Sequence, residues 1–289
     1  MNNIEYVRNI VSNITITPEM ADLAHRLLDS YLQGGKDDFT LYVRNVDRKN
    51  NDPLGIFRFV ENASEIAARN ETRITLDLMD VLRHNTRYQY VLKGDARTRI
   101  KEVGRLFDKI YHKVAKKIRE NHPGIDIMID TTVCSLYLEE ALGYLQEVVD
   151  NINDTCRYTI TIPTDIYVDG MNHFISEMEK KGYTVYNVKN KWDNASSCRG
   201  IFLVFEKEYT GSGIDIELGN RFEVQVHTPQ NYVFKEKSRV AYDVFRNPLA
   251  DPDYRKLGDK MRRYYHGSPI AIPDGAVEWT YPTKKHKNR

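Results

Sequence analysis

Apolar residues recur along this chain in two rhythms, and the change from one to the other falls near its middle. From Arg97 to Glu120 the positions Ile100, Val103, Leu106, Phe107, Ile110, Val114 and Ile118 return every three or four residues, which predicts a long basic helix with one buried face. Earlier, Thr17-Pro18-Glu19 offers an N-cap followed by proline at the first helical position, and Gly34-Gly35 stops that helix. Shorter helical pieces are expected over 65–69 and 76–83, after a brief alternation over 39–44. Beyond Asn121-His122-Pro123-Gly124 the spacing tightens toward two. Strands are expected over 125–129, 156–162, 183–189, 200–205 and 221–227, with a glycine-containing turn at 211–213 before the last. Helices are expected over 135–149, 174–180, 229–245 and 252–265, the last two with proline near their starts. Strands that alternate with helices predict an α/β (α+β) class, a mixed β-sheet flanked by helices with a helical N-terminal region. The spacing places the boundary near residue 95: residues 1–95 form a helical region of unassigned role, and 96–289 carry the sheet.

Composition narrows the function classes. Of 289 residues, 41% are hydrophobic and 29% charged, enough for a core and a solvated surface, which excludes a disordered or collagen-like chain. Lys and Arg number 42 against 41 Asp and Glu, so no global charge draws the molecule to nucleic acid, and any phosphate recognition is local. No stretch approaches the ~20 apolar residues of a membrane helix, and no membrane partner is expected. The N-terminus lacks the features of a secretory signal, and Cys134, Cys156 and Cys198 are scattered singly, so a reducing, cytoplasmic setting is expected. The eight histidines show no HxxxH or CxxC partner spacing, which argues against a His/Cys metal centre.

The sharpest chemistry lies in Arg221-Phe222-Glu223-Val224-Gln225-Val226-His227-Thr228. Side chains alternate across a strand, so Phe222, Val224 and Val226 enter the core while Arg221, Glu223, Gln225 and His227 share the opposite face. A cation, a carboxylate, an amide and an imidazole in succession suit a polar site. An exposed polar face of an antiparallel sheet is the competing reading. Upstream, Asp154 stands at the mouth of an expected strand with Arg157 three residues on. Two carboxylates meeting across neighbouring strands can hold Mg²⁺, which takes one or two carboxylates together with phosphate oxygens. Taken alone, Asp154 reads as a turn-capping residue rather than a metal ligand.

In order and spacing, DTCRYTI, KGYTVYNVKNKW, RGI, RFEVQVHTPQ and KEKSRVAYDVFR resemble the RelA/SpoT-like nucleotidyltransferases, especially their toxin- and effector-type branch. The resemblance spans 125–246 and is strongest over 221–229. It implies a nucleotidyltransferase-like fold and Mg²⁺-dependent transfer of pyrophosphate from ATP to the 3′-hydroxyl of a purine nucleotide or of an RNA end. It assigns Asp154 and Glu223 as the catalytic, Mg²⁺-holding carboxylates. Arg157, Arg199, Gln225 and His227 would bind substrate, and Lys235-Glu236 matches the family's helix after the strand. Active members also carry an Arg-x-Lys-Ser segment ahead of the Asp strand. The stretch taken as corresponding, Thr131-Thr132-Val133-Cys134-Ser135, holds no cation, and Glu139 and Glu140 follow where a lysine is expected. Cys198 stands where members often place a tyrosine. A catalytically degenerate member that binds nucleotide or a protein partner therefore remains an alternative, as does an unrelated transferase or effector.

Overall fold

The computed structural model describes residues 3–34, 48–94, 99–101, 103–193, 199–207, 221–246 and 250–283. In chain order the elements are α1 (Asn3–Ser12), α2 (Pro18–Gly34), α3 (Phe57–Arg83), β1 (Val91–Lys93), α4 (Val103–Asn121), α5 (Asp130–Leu136), α6 (Leu138–Asp150) and β2 (Cys156–Thr161). A 3-10 turn (Thr164–Ile166) then leads into α7 (Tyr167–Lys180), β3 (Thr184–Asn190), β4 (Ile201–Glu206), β5 (Arg221–His227), α8 (Pro229–Arg246) and α9 (Pro252–Gly267). No helix among the described residues is long and apolar enough to cross a membrane.

The chain divides into two compact units. The first comprises 1–45, 191–200 and 228–272, and its core is helical: Val7 and Ile10 of α1, Ala24 and Leu28 of α2, Ala241 and Val244 of α8, and Leu257 and Met261 of α9. The second comprises 46–190, 201–227 and 273–289 and holds the whole sheet. The boundary expected near residue 95 thus falls inside the second unit. The reason is packing rather than sequence order: the apolar faces of α1 and α2 are buried against the late helices α8 and α9, whereas α3 belongs with the strands.

The sheet is mixed, in the order β1-β2-β5-β4-β3, with β2 and β5 parallel and the other neighbours antiparallel. The last strand matches its expected range to the residue. On one face Tyr158, Phe222 and Phe205 form an edge-to-face and stacked series with centroids 5.6–5.8 Å apart, and Tyr183 adds an edge contact to Phe222 at 5.4 Å. Helices α3 and α7 cover this face. The Tyr158 hydroxyl donates to the Glu71 carbonyl (3.2 Å), and Phe174 meets Phe205 edge-on. The pieces expected at 65–69 and 76–83 are one helix of 27 residues, because no glycine or proline interrupts 57–83 and Val60, Ala63, Ala67, Ile74, Leu78 and Val81 keep one buried stripe.

Two expectations fail around α4. Residues 125–129 form no strand: Ile125 and Ile127 lean on the α4 core while Arg119 donates to the Ile127 carbonyl (2.8 Å), so the segment is held by a side chain instead of a ladder. The helix expected over 135–149 is broken at Tyr137 (φ −119°, ψ 47°) into α5 and α6, which fold under α4 through Val133, Cys134, Ala141, Val148 and Val149. The alternation at 39–44 and the turn at 211–213 lie outside the described residues.

Candidate functional site

Strand β5 lies at the centre of the sheet, and its register decides what surrounds each polar residue. Residues level in neighbouring strands point to the same face. Arg157 of β2 is level with Glu223, Thr159 with Gln225 and Thr161 with His227. On the other side Val204 is level with Glu223 and Phe202 with Gln225. The second row extends to Lys189 of β3 and, through Thr159, to Lys93 of β1. The hydroxyl of Tyr167 pins this end of the sheet, donating to the Val226 carbonyl (2.7 Å) and accepting from the amide of Ile201 (3.2 Å).

This polar face is not a solvated one. Arg221, Glu223, Gln225 and His227 are 8%, 7%, 5% and 0% exposed, and burying such groups costs free energy unless they find partners. Arg221 is committed to structure: Nε donates to Glu206 Oε2 (3.0 Å), and the guanidinium lies 3.8 Å from the centre of the Tyr186 ring. The His227 ring meets Phe202 edge-on at 5.7 Å. Gln225 Nε2 donates to Glu223 Oε1 (2.7 Å), which fixes the carboxylate and leaves its second oxygen without a hydrogen-bond partner among the described residues. Gln225 Oε1 is buried and likewise has no hydrogen-bond partner there. Arg157, exposed and level with Glu223, makes no ion pair among the described residues, nor does exposed Lys189. The centre of the sheet therefore offers one oriented carboxylate level with an arginine that no carboxylate among the described residues neutralises.

Asp154 meets a different fate. It lies two residues before β2, where a short antiparallel ladder joins Lys101 N to the Thr155 carbonyl and Arg157 N to the Arg99 carbonyl, both at 2.8 Å. Lys101 Nζ donates to Asp154 Oδ2 (2.7 Å), and Lys109 Nζ, from α4, donates to Oδ1. Burial works to raise the Asp154 pKa, but the ammonium groups of Lys109 and Lys101 outweigh it and hold the carboxyl well below the usual carboxylate range. Burial pulls Lys101 down to about 8, opposed by Asp154 and assisted by Lys109.

The expected sharing of one Mg²⁺ by Asp154 and Glu223 does not fit this arrangement. Both Asp154 oxygens are already occupied by cations, so a divalent ion there must displace an ammonium group. The group level with Glu223 is Arg157, with Asp154 three residues, roughly 10 Å of extended chain, further back. Among the described residues no cluster of three or more His, Cys, Asp or Glu could hold a metal ion.

The remaining expected residues fall elsewhere. Arg199 belongs to the first unit, where its carbonyl accepts from Asn231 Nδ2. Lys235 lies over the Tyr232 ring. Cys198 lies outside the described residues. The stretch 131–135 is in α5, with Val133 and Cys134 in the core, and Glu140 pairs with His122 (2.8 Å). The cations beside Asp154 are Lys101, just before α4, and Lys109 within it, whereas Arg99 pairs with Glu71 (3.0 Å). Sequence reasoning missed them because they lie 53 and 45 residues before Asp154, with α5 and α6 interposed between α4 and β2. Comparison with known protein families and with curated proteins finds no match to this chain.

Proposed function

We propose that the polar face of β5 binds nucleotide and transfers pyrophosphate from ATP to the 3′-hydroxyl of a purine nucleotide or an RNA end, as in the RelA/SpoT-like nucleotidyltransferases that the sequence resembles. The observation that carries this reading is the buried Glu223, held through one oxygen by Gln225 and level with an Arg157 that has no ion-pair partner among the described residues. In the proposed reaction the second oxygen of Glu223 takes the proton of the acceptor hydroxyl, whose oxygen attacks the β-phosphorus of ATP, and AMP leaves. Little covalent chemistry is asked of the protein, since positioning and neutralisation of phosphate charge dominate such transfers. Arg157 supplies that charge, and Lys189 extends it along the face. ATP arrives as its magnesium complex, the ion carried by its own phosphates. The order Asp-x-x-Arg strand, then E-V-Q-V-H-T strand, supports the reading independently of the geometry.

The test is incubation of the purified chain with ATP labelled in its terminal phosphates and GDP, GTP, AMP or tRNA as acceptor. A labelled adduct with one of them is expected, and none with any would contradict transfer. The locking of Asp154 between two lysines favours a second reading, a protein that binds nucleotide and does not transfer. ATP binding by calorimetry without product from any acceptor would select it.

A further inference from the structure

We propose that the outer face of the α5–α6 hairpin is a docking surface for a basic amphipathic helix of a protein partner. The hairpin buries one side against α4, yet its other side keeps large apolar residues in solvent. Met128, Ile129 and Leu136 are 89%, 63% and 63% exposed, and Leu138 and Leu142 are 40% and 50% exposed. Ile129 immediately precedes α5 and Leu136 ends it, and Leu138 and Leu142, four apart, share a face of α6. Leu136 and Leu138 stand two residues apart across the Tyr137 break, so large apolar side chains are exposed on both arms of the hairpin, and clustered exposure of this kind marks interaction sites.

Charge identifies the occupant. From 125 to 150 the chain carries Asp126, Asp130, Glu139, Glu140, Glu147 and Asp150 and no Lys or Arg. Asp130, Glu140 and Glu147 are answered by Arg119, His122 and Lys117. Asp126 and Glu139 are exposed and make no ion pair among the described residues. An apolar surface rimmed by carboxylates repels an anionic bilayer. It complements a helix whose apolar stripe, repeating every three or four residues, is bordered by Lys and Arg. The surface is independent of the proposed transfer reaction, so either can fail without the other.

The experiment measures fluorescence anisotropy of a labelled amphipathic Leu/Lys peptide titrated with the full chain, beside a Leu/Glu peptide of the same pattern. The Leu/Lys peptide is expected to bind at least about tenfold more tightly. Leu136→Ser/Leu142→Ser, at exposed positions that leave folding intact by circular dichroism, is expected to weaken binding about tenfold or more, and Asp126→Lys/Glu139→Lys to abolish the preference for the basic peptide. Equal affinity for both peptides, or binding indifferent to both double variants, overturns the proposal. So does self-association of the chain that Leu136→Ser/Leu142→Ser abolishes, which would make the occupant a second copy, or co-sedimentation with anionic vesicles lost in the same variant.

Discussion

Asp154 and Glu223 are both carboxylates at the heart of the sheet-bearing unit, and the protein treats them in opposite ways. Asp154 sits just ahead of β2, gripped by one lysine on each oxygen. Glu223 sits in the middle of the central strand, held by a neutral amide on one oxygen only. A carboxylate saturated by two cations is an electrostatic keystone and a poor base. One that is oriented, buried and half-satisfied is suited to take a proton. The same functional group becomes structure or chemistry according to whether its neighbours neutralise it or merely aim it.

Breaking either arrangement has distinct consequences. Next to loss of the Glu223 charge itself, the largest is expected at Arg157. Arg157→Ala should lower the transfer rate about a hundredfold, the usual cost of losing one group that stabilises developing charge, with no change in thermal stability because the side chain is exposed. Asp154→Ala leaves two largely buried ammonium groups facing one another. It should cost about 2–3 kcal/mol in denaturant unfolding, somewhat below the value for a fully buried pair because each group keeps some solvent contact. Gln225 is a positioning residue. Gln225→Leu should lower kcat about tenfold while leaving the affinity for ATP unchanged, whereas a purely structural residue would lower stability and not split kcat from affinity.

The smallest effect sharpens the contrast through pH. The folded pKa of Asp154 lies below its unfolded one, so the carboxylate stabilises the protein above the unfolded value and that contribution is lost only as the pH falls toward the folded value. The stability difference between the wild type and Asp154→Asn should therefore hold steady from neutral pH down to about 5 and narrow below about 4. A difference that vanished already at pH 6 would show that the lysines do not hold Asp154 ionised.

How much of this was legible beforehand follows from the range of the forces involved. The alternation in RFEVQVH fixed both the strand and the division of its faces, because period two is a local property of the backbone. Helices α8 and α9 were equally plain from their prolines and apolar stripes. That the polar face of β5 is buried was not visible, because burial depends on the strand's central place in the sheet. Nor was the pairing of Asp154, whose partners lie 45 and 53 residues earlier and come into reach only when α5 and α6 fold aside under α4. Strand β1 escaped notice for a related reason: three residues are too few to show a period, and only the register Val91↔Thr161 makes them a strand.

Glu223→Gln removes the charge that the account assigns to catalysis while keeping the shape and the hydrogen-bonding reach of the side chain. The most direct measurement is the rate of labelled product formation from ATP in this variant beside the wild type, with thermal unfolding recorded for both. The account predicts a loss of about a hundredfold or more at unchanged unfolding temperature. Product formed at the wild-type rate by a fully folded Glu223→Gln would contradict it.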